Sequence, residues 1–333
     1  MQSNIFSADA QELRDKNISV AACTDWSLSM KLRQEQGAGF MQLFQLLPEL
    51  ILCFNDFQTK SCPKFGLEAN HSNRVLINYC FTGRCEVELE NGMFIFLGPQ
   101  DLVISTRWTK REFSFPVRAY TGIEFIIDLD QINEASKIFW GQIGFDLREL
   151  KDMFCRDTGY FIGHDHGRLE QLLRSMKRDL PRPERPLLLI KTAEFLFELS
   201  KGHFTPENGQ RKYYSKSQVR IAREVEDEIT GQLNRHLTTE KLARKYGISP
   251  TSLQNYFKGI YGEPISVYLR KARMNTAAKL LKHSRKKVSE IASCVGYENQ
   301  SKFAAAFKEV LLCNPLEYRQ RNFGGDDSRE EAE

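Results

Sequence analysis

The stretch Ile291-Ala292-Ser293-Cys294-Val295-Gly296-Tyr297 stands 49 residues after Leu242-Ala243-Arg244-Lys245-Tyr246-Gly247-Ile248 and follows the same pattern. After the first come Leu253, Phe257-Lys258 and Pro264; after the second come Phe303, Phe307-Lys308 and Pro315. Over the whole repeat the offset grows only from 49 to 51 residues, so the chain contains an internal duplication.

Each copy has a physical logic. A small residue (Ala243, Ala292) lets two helices cross closely. A glycine four residues on (Gly247, Gly296) suits a tight turn that demands positive φ. The next apolar residue (Ile248, Tyr297) plugs the angle between the helices. Ser249 is placed to cap the following helix, and Pro250 suits its first position. Leu253 and Phe257 then fall on one face, four apart, as do Phe303 and Phe307. Thr251, Gln254, Asn255 and Lys258 are left pointing outward in the first copy, and Gln300, Ser301, Lys302 and Lys308 in the second. This is a helix-turn-helix pattern twice over. The second helix of such a unit can enter a major groove. Gln and Asn suit bidentate pairing with adenine, and Lys suits phosphates, which set register rather than sequence.

Charge agrees with this reading. Residues 215–321 hold 20 basic and 10 acidic side chains, whereas the whole chain of 333 residues carries only +4. A positive region of that kind attracts polyanions. The tail 322–333 has one Arg against five acids and reads as disordered.

These residues resemble the AraC/XylS family of transcription regulators over about a third of the chain, Ser215 to Arg321. The match runs through Ile291-Ala292, Val295-Gly296-Tyr297-Glu298-Asn299-Gln300-Ser301, Phe303, Phe307-Lys308 and Asn314-Pro315-Leu316-Glu317-Tyr318-Arg319. In the first unit it runs through Leu242-Ala243, Ser249-Pro250, Leu253, Phe257-Lys258 and Gly262, and in the connecting helix through Tyr268, Arg273, Ala277 and Leu280-Leu281. The resemblance implies a linking helix that holds two recognition helices about one turn of DNA apart, roughly 34 Å. It implies Thr251, Gln254 and Asn255 as base readers in the first unit and Gln300, Ser301 and Lys302 in the second. Two departures stand out: Asn314 where the signature usually has Gly before the Pro region, and Ala304-Ala305-Ala306 where a basic side chain is common. Alanines can touch thymine methyls but cannot hydrogen-bond, so the first unit is expected to carry more direct readout. The implied partners are double-stranded DNA, a small-molecule effector and RNA polymerase, with a homodimer possible.

Outside the duplication the expected class is α+β, with a small cupin-like barrel before the all-α domain. Val75 to Phe81, Glu86 to Glu90, Met93 to Leu97, Leu102 to Ser105, Glu112 to Phe115 and Tyr120 to Asp128 read as short strands, with Asn91-Gly92 as a hairpin turn. Residues 1 to about 70 show weak periodicity, with a helix or two expected between Ile5 and Phe44. Helices return after Asp130. Leu169 to Leu180 is amphipathic and ends at Pro181, Pro183 and Pro186. The apolar Leu187 to Leu199 suits packing on the barrel or against a second copy. Lys201 to Ser217 has linker composition. The domains are therefore read as 1–200 (effector-sensing and dimerisation), 201–217 (linker), 218–321 (DNA-binding) and 322–333 (acidic tail). The strand-rich half more faintly resembles the sensor half of siderophore-responsive, pyochelin-type regulators, through Tyr79-Cys80, Gly83-Arg84, Gly98-x-x-Asp101-Leu102, Phe113-Ser114-Phe115-Pro116 and Tyr120-x-Gly122-Ile123.

Other chemistries fare poorly. No apolar run reaches the ~20 residues of a membrane span, and no signal segment is visible, so a cytoplasmic chain is expected, with its eight cysteines reduced. His164-Asp165-His166 invites a metal reading, but it lacks a third ligand and reads as a solvated loop outside the strands. No metal or cofactor is expected. No phosphate loop or nucleophile elbow appears, and a cupin-type enzyme fused to a DNA-binding domain would need a metal-ligand set on its strands, near which His71 is the only histidine. A non-specific architectural DNA binder would favour Lys and Arg where Thr251, Gln254 and Asn255 stand.

Overall fold

Gly37–Leu47 and Leu50–Gln58 pair antiparallel over their length, the first overlapping the Ile5 to Phe44 stretch where a helix or two was expected and the second in the stretch of weak periodicity. The reason is burial. All but two residues of Leu50–Gln58 are buried, so the strand is covered on both faces and shows no alternation. The computed structural model describes residues 13, 15–34, 37–63, 73–89, 91–106, 113–156, 159–165, 167–202, 205–206 and 213–323. It divides into two compact units, Met1–Tyr213 and Tyr214–Glu333.

The first unit is built on an antiparallel sheet of nine strands. In chain order these are β1 (Ile18–Cys23), β2 (Ser27–Gln34), β3 (Gly37–Leu47), β4 (Leu50–Gln58), β6 (Arg74–Gly83), β9 (Asp101–Ser105), β11 (Tyr120–Asp128), β12 (Tyr160–His164) and β13 (Thr205–Pro206). In space they run β1-β2-β3-β4-β11-β6-β9-β12-β13. A second sheet of four, β5 (Ser61–Cys62), β10 (Phe113–Ser114), β7 (Cys85–Glu88) and β8 (Phe94–Leu97), has the order β5-β10-β7-β8. Among the described residues the strands form these two open sheets rather than one closed barrel.

The six strands expected from periodicity are all present, and the Asn91-Gly92 hairpin joins β7 to β8. Only Gly92 is left-handed there (φ +74), while the Asn91 side chain accepts from the Met93 amide at 3.0 Å. Gly83 (φ +79) is the corner where the chain leaves the long sheet for the short one. A Cβ at Gly83 would stand 2.0 Å from the Ala119 carbonyl oxygen.

Two cores flank the long sheet. On one face Leu52, Phe54, Ile77, Tyr79, Ile123, Phe125 and Ile127 meet the helices α1 (Glu134–Ile143), α2 (Leu147–Cys155), α3 (Arg168–Asp179) and α4 (Arg185–Ser200). The Leu187 to Leu199 segment thus packs on the sheet through Leu188, Phe195, Leu196 and Leu199, with Phe195 stacked on Phe125 at 4.5 Å. Pro186 opens α4 rather than interrupting α3. On the other face Ile51, Cys53, Cys80, Val103, Tyr120 and Ile126 meet Cys62, Cys85, Ile95 and Leu97 of the short sheet.

His164 is not in a loop outside the strands, as expected, but ends β12, with its Nδ1 3.0 Å from the Asp101 carboxylate. Asp165 is buried and accepts from the Tyr79 hydroxyl at 3.2 Å and from the Leu169 and Glu170 amides at 3.2 and 2.8 Å. It therefore satisfies the first turn of α3, which Gly167 at the cap position cannot do. His166 lies outside the described residues. Among those described, no three His, Cys, Asp or Glu side chains are grouped to hold a metal, and no helix is long and apolar enough to cross a membrane.

The second unit is helical: α5 (Lys216–Gly231), α6 (Thr239–Lys245), α7 (Pro250–Tyr261), α8 (Ile265–His283), α9 (Val288–Cys294), α10 (Gln300–Leu311) and α11 (Pro315–Asn322). Helix α5 begins inside the stretch of linker composition because Ser215 and Gln218 form a reciprocal capping box. The tail from 324 onward lies outside the described residues.

Candidate nucleic-acid interface

Helices α6 and α7 form one helix-turn-helix and α9 and α10 the other, joined by α8. In both turns the glycine has positive φ, +65 at Gly247 and +82 at Gly296. Ser249 Oγ accepts from the Ser252 amide at 3.1 Å with Pro250 in the first turn, and Asn299 caps α10 by accepting from the Lys302 amide at 2.9 Å. Leu253, Phe257, Phe303 and Phe307 are all fully buried. The aromatics interlock across the units: Phe257 meets Tyr268 edge-on at 5.3 Å, and Phe307 meets Tyr318 edge-on at 5.6 Å. Burying Leu253 and Phe257 on α7, and Phe303 and Phe307 on α10, fixes the roll of the two helices, and that roll decides which side chains face solvent.

The exposed faces correspond residue for residue at an offset of 50. Thr251, Asn255 and Lys258 form one exposed stripe on α7; Ser301, Ala305 and Lys308 form its counterpart on α10, with Gln300 and Lys302 exposed beside it. Gln254 behaves differently. It is half-buried, its Nε2 donates to Thr239 Oγ1 at 3.1 Å, and its Oε1 accepts from the Ile265 amide at 3.5 Å. Both ends of the amide are engaged within the unit, so Gln254 ties the starts of α6 and α8 to α7. Of the three alanines, Ala305 is exposed and Ala304 half-buried, but Ala306 belongs to the core and is not available to a base.

Two structural residues carry more than their sequence positions suggested. Arg273 of α8 donates Nε to the Leu233 carbonyl at 2.9 Å and Nη2 to the Arg235 carbonyl at 3.1 Å, and lies 5.7 Å from the Tyr297 ring centroid. Burial lowers its guanidinium pKa, and Tyr297 opposes that shift. It joins the segment after α5 to the second turn; in sequence Arg273 stood out only as one of the connecting-helix positions that carry the family resemblance. Gly259 is held against Tyr214, whose hydroxyl would stand 1.5 Å from an added Cβ. Gly259→Ala is therefore expected to lower the stability of the second unit by about 1–3 kcal/mol, measured by urea unfolding. An unchanged midpoint would mean that Tyr214 can swing away without cost. The basic run Arg285-Lys286-Lys287 before α9 is exposed as well.

A family model described as "Helix-turn-helix domain" matches residues 242–321. The transcriptional activator AarP of Providencia stuartii is 32% identical over 122 residues, which is 37% of this chain and 90% of AarP. The chain belongs to the AraC/XylS family of transcription regulators. YkgA of Escherichia coli K12, a putative HTH-type transcriptional regulator, is 30% identical over 104 residues, 31% of this chain and 44% of YkgA, so the chain spans less than half of that relative. The C-terminal domain of AraT, a response regulator from Geobacillus stearothermophilus, aligns with 31% identity and a TM-score of 0.31, covering 32% of this chain and 89% of that one.

The AraC/XylS reading relocates one departure. The position equivalent to Gly262, which ends α7 at φ +86, is Leu312, which ends α10 at φ +61. Both amides donate to the carbonyl of a lysine four residues back, Lys258 or Lys308, at 2.8 and 2.9 Å. Asn314 has an ordinary φ of −75 and caps α11, and its amide and side chain hold the Glu317 carboxyl below the usual range. The strained substitution is thus Leu312, which is 87% exposed and buries almost nothing. Leu312→Gly is expected to stabilise the second unit by about 0.5–1 kcal/mol, visible as a higher thermal midpoint. A lower midpoint would show that the leucine makes an unseen favourable contact.

Proposed function

We propose that the chain is a sequence-specific DNA-binding regulator of transcription, acting in the cytoplasm in response to a small-molecule effector such as a siderophore or other metabolite. The observation that carries this is the pair of equivalent exposed stripes on α7 and α10 within one basic, family-typical unit. The 19 residues of α8 span about 28 Å at 1.5 Å per residue. That length suits two recognition helices reaching successive major grooves, one turn of DNA apart.

Thr251 and Asn255 read bases in the first groove. Gln254 was expected beside them, and it reads a base only if it gives up Thr239 and Ile265. Gln300, Ser301 and Lys302 meet the second groove near the start of α10, where Ala305 can offer only a methyl contact. Lys258 and Lys308 hold phosphates. The first half-site therefore carries the stricter sequence requirement. The N-terminal two-sheet unit serves as the cupin-like sensor and as the surface for homodimerisation, and the regulator acts through RNA polymerase at the promoter.

The test is binding of the full chain to its selected site and to single-base variants at fixed salt. Asn255→Ala should lose about 1–3 kcal/mol against the preferred base and relax specificity there. Gln300→Ala should cost less. Lys258→Ala should weaken all sequences alike and lower the salt slope by about one ion. Equal losses at Asn255 and Gln300 would contradict the division of labour. Uniform affinity for every sequence would replace this reading with an architectural binder.

A further inference from the structure

The two helix-turn-helix units repeat each other, but their turns are not set in the same surroundings. An added Cβ on Gly247 meets nothing within 4 Å. A Cβ on Gly296 would stand 2.6 Å from the Leu233 carbonyl oxygen and 2.9 Å from Arg273 Nη2. The second turn therefore lies against the segment that leads from α5 into the first unit, and one guanidinium sits at that contact.

Arg273 engages both sides of the contact. Its Nε donates to the Leu233 carbonyl at 2.9 Å and its Nη2 to the Arg235 carbonyl at 3.1 Å, while its guanidinium carbon lies 5.7 Å from the Tyr297 ring centroid. Each side continues through fixed contacts to a recognition helix. On the first side Arg235 stands just ahead of Thr238, which caps α6, and Gln254 of α7 donates to Thr239 at 3.1 Å. On the second side the Tyr297 ring meets Phe303 of α10 edge-on at 5.8 Å. Arg319 makes a comparable bond to the Lys286 carbonyl at 2.7 Å, at the position equivalent to Arg235, 51 residues on. That bond runs from α11 and has both ends in the second unit. Arg273, by contrast, lies on the linking helix and touches both units. A guanidinium suits this place because its planar fork holds two carbonyls while its face lies on a ring; an ammonium is a point charge and cannot do both.

We propose that Arg273 is a positioning residue that sets the separation and phase at which α7 and α10 meet DNA, so that half-site spacing is itself a specificity determinant of this chain. It touches no base. It acts through α6 and α7 on one side and through Tyr297 and α10 on the other. One base pair more between half-sites moves the second by about 3.4 Å and turns it by about 35° around the duplex. A rigid joint rejects that change, and a loosened joint follows it. The inference rests on the paired-reader reading above.

The test is selection by the full chain from duplexes with about 30 randomised base pairs at fixed salt, using wild type, Arg273→Lys, Tyr297→Ile and Arg319→Lys. Tyr297→Ile keeps an apolar plug, as Ile248 does in the first turn, and removes the ring. It decides the test if Arg273→Lys does not fold, which helical circular dichroism shows. Wild type should return two half-motifs at one separation. Arg273→Lys and Tyr297→Ile should return the same half-motifs at several separations. In direct binding, one base pair added between the half-sites should cost wild type at least about tenfold and these two variants less than about threefold. Arg319→Lys should keep the wild-type separation. A role confined to stability would weaken every spacing alike. Either folded variant with a separation as sharp as wild type overturns the proposal, as does an Arg319→Lys separation broadened as much as that of Arg273→Lys. Half-motifs at scattered separations in wild type overturn it too, with both readers intact. No motif in wild type removes the paired-reader reading itself, and this inference with it.

Discussion

Alanine in place of Gly296 costs the C-terminal unit on the order of 3 kcal/mol, whereas alanine at Gly247 costs about 1 kcal/mol. Both glycines sit at equivalent turns with similar positive φ, so the intrinsic penalty for a Cβ is the same, about 1–2 kcal/mol. Their surroundings differ. At Gly247 an added Cβ meets nothing within 4 Å. At Gly296 it would stand 2.6 Å from the Leu233 carbonyl oxygen, which accepts from Arg273 Nε at 2.9 Å, and 2.9 Å from Arg273 Nη2. The carbonyl is backbone and cannot swing aside, so relief requires breaking the Arg273 bond or shifting the end of α5. All three tryptophans (Trp26, Trp108 and Trp140) lie in the N-terminal unit, so helical circular dichroism read against tryptophan fluorescence isolates the C-terminal transition in the full chain. Equal costs at the two glycines would show that the Arg273 bridge does not constrain the second turn.

The second large effect is at Glu124 and depends on pH. Burial pushes its folded-state carboxyl up to about 7, above the ordinary 4.5, so the folded chain holds a proton that the unfolded chain releases earlier. The contribution is fully present below about pH 4.5 and is lost as pH rises towards 7. At 1.36 kcal/mol per pH unit the loss is on the order of 3 kcal/mol. The other titratable groups facing it are Cys53, Cys62, Cys80 and Cys85 and the Tyr120 hydroxyl. Burial pushes Cys80 up to about 12 and pushes Cys53, Cys85 and Tyr120 well above their ordinary values, so these four stay neutral throughout this window. Glu124→Gln is thus expected to unfold at nearly the wild-type urea midpoint at about pH 5 and to be clearly more stable at about pH 8, with tryptophan fluorescence as the readout. Parallel pH profiles for the two proteins would show that the carboxyl is not desolvated.

How much of this was legible in the sequence follows from what each feature depends on. The duplication was readable because turn glycines, small crossing residues and paired aromatics recur at fixed spacing, and the burial of Phe257 and Phe307 follows from that spacing. Strands β6 to β11 were readable from turns and alternation. Strand β4 was not, because it is covered on both faces and loses the period of two. The engagement of Gln254 depends on Thr239, fifteen residues away in sequence, and no local pattern encodes it. The departure ascribed to Asn314 belongs to Leu312, since a backbone angle identified it and a motif alone did not. Asp165 looked like part of a surface His-Asp-His run, yet its partners are Tyr79 and the start of α3, which come together only through the pairing of β12 with β9.

The most direct test of the paired-reader account is selection of genomic DNA by the purified full chain, followed by sequencing of the bound fragments. The account predicts a motif of two half-sites about 10 base pairs apart, the half contacted by α7 the more strongly defined. Fragments without a common motif, bound with an affinity that only falls as salt rises, would contradict it.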